Sequence, residues 1–154
     1  MKWPICTSPE QMAAQIKAKR PFCFDPWERF AAHQKKEALS FFCRWVYTVS
    51  KKLNGVKLVA IDEIQQFTKT HVGGVPDSLI EIMDVGRREE IDTLFVCNKG
   101  LNKLSEEIRG QLTDLYVFQT TSAASLKYLE EDFSKEELQK IRSLGIGQFL
   151  HTQI

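Results

Sequence analysis

The sequence predicts an α/β fold, a mostly parallel sheet flanked by helices. Three observations predict it. Short apolar runs rich in β-formers occur at Lys57-Leu58-Val59-Ala60-Ile61, at Ile91-Asp92-Thr93-Leu94-Phe95-Val96-Cys97 and at Leu115-Tyr116-Val117-Phe118. Segments with helical spacing of apolar residues separate them, as a sheet covered on both faces requires. Each run ends in polar residues, Asp62-Glu63, Asn98 and Gln119 respectively, and ligands in open α/β sheets bind beyond the carboxyl ends of the strands.

The elements follow in order. Residues 2–7 form a short extended entry. Ser8 reads as an N-cap, with Pro9 in the first helical position and Gln11 placed to complete a capping box. Met12 and Ile16 face that helix inward, and Lys17, Lys19 and Arg20 suit its C-terminal dipole. Residues 21–26, Pro-Phe-Cys-Phe-Asp-Pro, read as a short strand closed by Asp-Pro. A long helix is expected over 28–53, on the spacing of Phe30, Leu39, Phe42, Val46, Val49 and Leu53. Phe41, Trp45 and Tyr47 widen its stripe, and Asn54-Gly55 ends it as a left-handed cap. After the strand ending in Asp62-Glu63, residues 68–75 form a polar loop holding Gly73-Gly74. Pro76 opens a helix packed through Leu79, Ile80, Ile82 and Met83, which runs into Gly86-Arg87-Arg88. A short helix over 104–113 is buried through Leu104, Ile108 and Leu112. Two further helices cover 123–131 and the stretch opened by the capping box Ser134-Lys135-Glu136-Glu137, the second burying Leu138, Ile141 and Leu144. Residues 145–150 read as a last short strand.

The 154 residues suit one domain, and a chain of this length buries about 70% of its unfolded surface without staples. The composition is 43% hydrophobic and 27% charged, with a net charge of +1. It therefore offers no global basic field for nucleic acid, and such binding would need a local patch or assembly into a ring. Cys6, Cys23, Cys43 and Cys97 lie far apart with no CxxC pair and no clustered histidine, which argues against zinc and redox sites. Cys23, Cys43 and Cys97 sit in apolar runs and read as core thiols, which fits a reducing compartment. No apolar leader follows Met1, and no apolar run reaches the length of a membrane span.

Right-handed crossovers bring Asp25, Asp62-Glu63, Asn98 and Gln119 to one sheet edge. An NTP site needs such a set: a metal anchor, a water activator and an amide that senses phosphate. Each residue also has a plainer reading. Asp25 serves as a turn carboxylate, Arg87 and Arg88 as a solvated helix end, and Asn98 as a partner for loop backbone.

The series Val59-Ala60-Ile61-Asp62-Glu63, Gly86-Arg87-Arg88, Leu94-Phe95-Val96-Cys97, Glu107-Ile108-Arg109-Gly110-Gln111, Tyr116-Val117-Phe118 and Leu144-Gly145-Ile146-Gly147-Gln148-Phe149 resembles, in order and spacing, the C-terminal two-thirds of the FtsK/HerA family of P-loop ATPases. That family includes DNA pumps and the packaging ATPases of some phages. The resemblance covers about residues 7–150. It implies an incomplete P-loop NTPase core of the RecA/FtsK type, with 1–154 as one truncated domain. It implies that Asp62 is the Walker B magnesium ligand, that Glu63 is the catalytic base, and that Arg87, with Arg88 or Arg109 in reserve, is an arginine finger. Asn98 stands where the family carries a Gln that senses the γ-phosphate, one methylene shorter. Asp25 is assigned to the nucleotide-binding set.

The sequence contains no GxxxxGK[ST] phosphate loop. In the family that loop precedes the region matched here. Without its backbone N–H groups and Lys, nothing in the chain holds the β- and γ-phosphates. Three explanations are expected: a fragment, one half of a split protein, or a degenerate relative that keeps the fold for binding. Mg²⁺ and ATP are accordingly expected only in a complete assembly, formed by a homo-oligomer or with a partner chain that supplies the loop, with DNA as a further partner. The expected location is the cytoplasm, that of the host if a phage encodes the chain. The leading functional reading is an ATPase-type domain of a DNA-translocating or packaging motor that is not catalytic alone. The alternative is a non-catalytic interaction or regulatory module. A DEAD-like helicase fragment, prompted by Asp62-Glu63-Ile64-Gln65, leaves Gly86-Arg87-Arg88 and 144–149 without a place.

Overall fold

The computed structural model describes residues 2–25, 30–31, 33–67, 74–97, 104–130 and 132–153. Two compact units emerge, Met1–Lys57 with Pro76–Ile91, and Leu58–Val75 with Asp92–Ile154.

In the first unit, β1 (Ile5–Cys6) pairs in parallel with β2 (Cys23–Phe24), with Ile5 opposite Cys23 and Cys6 opposite Phe24. Between them runs α1 (Pro9–Lys17), capped by Ser8, whose side chain accepts from the Gln11 N–H, with Met12 fully buried. The strand expected over 21–26 is thus a two-residue core. The long helix expected over 28–53 is shorter: α2 spans Lys35–Ser50. Its expected start at Glu28 lies outside the described residues. Ahead of it, the Gln34 N–H donates to the Ala31 carbonyl and its side chain accepts from the Ala31 N–H, which folds a turn there. Phe30 still reaches the helix from that turn, its ring 5.7 Å from that of Phe41. Phe24 stacks on Phe42 at 5.1 Å, and Phe22 meets Trp45 edge-on at 6.4 Å. The rings of the aromatic stripe are half-buried against one another, and they fasten β2 to α2.

Helix α3 (Asp77–Val85) packs against α2, with Leu79 and Ile82 buried and the Ser78 and Ser40 hydroxyls 3.2 Å apart. A 3₁₀ turn, Gly86–Glu89, follows. A Cβ on Gly86 would stand 3.3 Å from the Ile91 Cβ, so this glycine permits close packing of the turn on the next strand. Lys57 fixes the start of its own strand here. Its Nζ donates to the carbonyls of Glu89 and Leu53, and its backbone N–H donates to the Glu90 carbonyl.

The second unit holds most of β3 (Lys57–Ile61) and β4 (Ile91–Phe95), which pair with each other. Their hydrogen bonds advance in the same direction along both strands, from Lys57 with Glu90 to Val96 with Ile61, so the pair is parallel. Val59 and Ile61 are buried, whereas Leu58 is 66% exposed and Leu94 and Val96 are also open. The expectation of a sheet covered on both faces holds for one face of this pair among the described residues. The helix expected over 104–113 is one turn, α4 (Glu106–Arg109), capped by the Ser105 hydroxyl, which accepts from the Ile108 N–H. It stops at Gly110.

β5 (Asp114–Phe118) pairs antiparallel with β6 (Phe149–Gln153), with Tyr116 opposite His151 and Phe118 opposite Phe149. The last strand thus begins four residues later than expected. Gly145 and Gln148 form a turn instead: the Gln148 N–H donates to the Gly145 carbonyl, and the Gly145 N–H donates to the Gln148 Oε1 at 2.7 Å. Gly147 takes φ +78° within it, a conformation glycine adopts without strain. Leu115, Val117 and Leu150 pack on a core of Leu126 and Leu129 from α5 (Ala123–Leu129), Phe133, and Ile141 from α6 (Lys135–Ser143). The expected capping box opens α6: Ser134 Oγ accepts from the Glu137 N–H, and the Glu137 carboxylate accepts from the Ser134 N–H.

On the outer side of β5 and β6, His151 Nε2 donates to Asp114 Oδ1 at 2.8 Å, and the His151 ring stacks on Tyr116 at 4.5 Å. The histidine bond, followed by one from Thr113, holds the Asp114 carboxyl below its ordinary value of 3.8. A carboxyl lowered by folding stabilises the folded state above its unfolded value, and that contribution is lost as pH falls through the folded value. Asp114→Asn therefore lowers the thermal midpoint at neutral pH. The gap to the wild type closes below about pH 3.8, and a gap constant down to pH 2, a value set on the order of two units below the carboxylate range, would remove Asp114 from the acid response.

The cysteines divide differently from the expectation. Cys43 and Cys6 are buried, Cys97 is intermediate, and Cys23, expected in the core, is exposed because it lies on the open side of a two-residue strand. Burial pushes the Cys43 thiol up to about 12 and raises Cys6 as well. The thiolate is the reactive form. An aromatic disulfide reagent is thus expected to titrate Cys23 first, with Cys6 and Cys43 reacting only on unfolding. Rapid modification of Cys43 in the native protein would contradict this packing.

Candidate functional site

The two carboxylates singled out in the sequence stand on one turn at the C-terminal end of β3. The strand supplies the anchor, because Ile61 is buried and its carbonyl accepts from the Val96 N–H at 3.0 Å. Two residues later the Ile64 N–H donates to the Val96 carbonyl at 3.1 Å. Val96 thus grips the chain on both sides of Asp62 and Glu63. Ile64 and Gln65 are fully buried and begin the 3₁₀ turn Ile64–Gln66, which is closed by the Gln66 N–H donating to the Glu63 carbonyl.

Asp62 is exposed, and its Oδ1 accepts from the Glu63 N–H at 2.8 Å. Glu63 takes the left-handed conformation, φ 52° and ψ 37°, which carries strain for a residue with a Cβ. Its Oε2 accepts from the side-chain amides of both Gln65 and Gln66, the latter at 3.3 Å. The turn therefore presents one carboxylate to solvent and holds the other by its own amides. Gln65 was not legible as a functional residue. Its one signal is a glutamine between Ile64 and Phe67, where a buried turn position would ordinarily be apolar.

The other predicted residues are described each by its own element. Asp25 closes β2 in the first unit, its N–H donating to the Cys6 carbonyl at 2.9 Å. Arg87 and Arg88 are exposed on the 3₁₀ turn after α3, also in the first unit. Asn98 lies outside the described residues. Arg109, in the second unit, ends α4, and its Nε is buried without a hydrogen-bond partner among the described residues. No cluster of three or more His, Cys, Asp or Glu suited to a metal occurs among the described residues. An exposed carboxylate such as that of Asp62 is of the kind that holds magnesium jointly with phosphate oxygens and water.

No protein-family model matches the chain, and no curated protein matches it in sequence. Solved structures do. The genome packaging NTPase B204 of Sulfolobus turreted icosahedral virus 2, in complex with AMP, superposes with a TM-score of 0.70 at 19% identity, covering 97% of this chain and 68% of that one. The same NTPase with ATP-γS gives a TM-score of 0.72 at 17% identity. The chain has the fold of this NTPase. The DNA-packaging ATPase B204 of Sulfolobus turreted icosahedral virus is more distant, with a TM-score of 0.55 at 18% identity over 86% of this chain and 60% of that one. At these identities the likeness is one of fold, and the chain spans about two-thirds of the length of the first of these proteins. The α/β architecture read from the sequence is thus the architecture of the chain, shared with these NTPases. The antiparallel β5–β6 pair is the part of that architecture which a purely parallel reading of the strand runs would not contain. Among the described residues, no helix is long and apolar enough to cross a membrane.

Proposed function

We propose that the chain contributes the metal-anchoring and water-activating half of an NTP site to a motor that moves or packages DNA. The observation that carries the reading is the gripped turn holding Asp62 and Glu63 at the end of a parallel strand, in a chain with the packaging-NTPase fold. That solved relatives of this fold bind AMP and ATP-γS supports a nucleotide as the ligand. Asp62 would hold Mg²⁺, whose bound form supplies charge neutralisation at the phosphates. Glu63 would accept the proton of the attacking water, and Arg87 from a neighbouring subunit would meet charge on the phosphates, with Asn98 near the γ-phosphate and Asp25 at the nucleotide. The phosphate cradle comes from outside these 154 residues, since they contain no GxxxxGK[ST] loop.

Titration calorimetry with Mg-ATP tests the missing cradle. The chain alone is expected to give no saturable heat at micromolar protein, and tight binding would contradict the proposal. The absent loop equally favours a second reading, a non-catalytic module that regulates a true ATPase. Hydrolysis by the assembly purified with this chain discriminates the two. Asp62→Ala stops turnover if the chain completes the site and leaves it intact if the chain only regulates.

A further inference from the structure

We propose that Gln65 is a positioning residue that fixes the Glu63 carboxylate, an inference that rests on the reading of Glu63 as the water activator. Gln65 is fully buried in a turn whose neighbour Ile64 already supplies apolar anchoring, so packing alone gives no reason for an amide there. Its Nε2 donates to Glu63 Oε2 from two residues away. Burial removes the rotamer freedom of the amide, so the donor is rigid and the half-buried Glu63 side chain, of equal length, conforms to it. Gln66, which is exposed, adds a second and longer bond to the same oxygen. A bond to a charged acceptor is about twice as strong as a neutral one. A carboxylate offers about four acceptor sites, so two donors on one oxygen leave capacity to receive a proton from water. The backbone contributes as well. Glu63 is held in its left-handed conformation by the bonds that Val96 makes on both sides, so the main chain and the head of the side chain are fixed from opposite ends. Such preorganisation matters because misplacing a reacting group by about 1 Å can cost on the order of 10²-fold in rate.

Two experiments test the assignment. In the ¹H–¹⁵N spectrum of the full chain, the Gln65 carboxamide, identified by its loss in Gln65→Leu, is expected to be protected from solvent exchange and to shift when Glu63→Ala removes its acceptor. Glu63 is itself only half-buried, and the backbone bonds that Val96 makes on both sides of the turn do not involve its side chain, so they hold the turn in Glu63→Ala. A Gln65 signal unmoved by Glu63→Ala overturns the proposal. This readout needs no NTP hydrolysis and is independent of whether the proposed function stands. In the hydrolysing assembly, Gln65→Leu is expected to lower kcat on the order of 10²-fold with KM unchanged. Added to Glu63→Gln it is expected to cause no further loss, because residues that act through one another are non-additive. Additive losses, or a matching rise in KM, would mean that Gln65 serves the fold alone.

Discussion

Glu63→Gln in the hydrolysing assembly lowers turnover by about 10² to 10⁴-fold, the usual contribution of a positioned general base. The amide keeps the size of the side chain and can still accept from the Gln65 and Gln66 amides, so the turn is preserved and the proton acceptor alone is lost. Nucleotide binding is accordingly expected to survive in Glu63→Gln and to weaken in Asp62→Ala, which removes the carboxylate proposed to anchor magnesium. Asp62 makes one short bond, to the Glu63 N–H, so its removal also frees the turn that orients Glu63. Full turnover in either variant would place the chemistry outside this turn. Steady-state hydrolysis combined with equilibrium binding of a non-hydrolysable analogue separates the two losses.

Ile64→Ala is the substitution expected to cost the most stability per atom removed near the site. Ile64 is fully buried, and its N–H bonds the Val96 carbonyl. Deleting a buried isoleucine to alanine costs about 2–5 kcal/mol, the transfer of three carbons plus the cavity they leave. That is a large share of a total of about 5–15 kcal/mol. Urea unfolding should show the midpoint falling with little change in slope, and Ile64→Val should fall by about 0.5–1.5 kcal/mol. A loss in Ile64→Ala below about 1 kcal/mol would mean that the site could collapse around the deletion, and that Val96 alone holds the turn.

Strand runs and helix caps were legible because local chemistry dictates them. Ser8, Ser105 and Ser134 all cap helices, two of them as expected. Val59 and Ile61 bury the face that their spacing implies. Element ends were less legible, for a common reason. The strand expected over 145–150 was read from its apolar residues, but a glutamine side chain closing onto Gly145 converts its first half into a turn. The start of α2 was misplaced because Phe30 keeps its aromatic contact from a turn as well as it would from a helix. The carboxylates of the site were legible because a strand that ends in two acids is conspicuous. The amides that hold Glu63 were not, because Gln65 earns its meaning only from burial, which no spacing rule assigns to a glutamine.

The left-handed backbone at Glu63 sets a conflict between durability and chemistry at one position. Glycine would adopt that conformation without the steric cost, which is on the order of 1 kcal/mol for a residue with a Cβ. A search for more stable variants would therefore be drawn to Glu63→Gly, and would find the gain by discarding the carboxylate. Selection for folding alone gives no reason to keep an acid there. Lys19 and Glu90 share the conformation, so the backbone alone does not mark a functional residue; the role proposed for its carboxylate is what would set Glu63 apart.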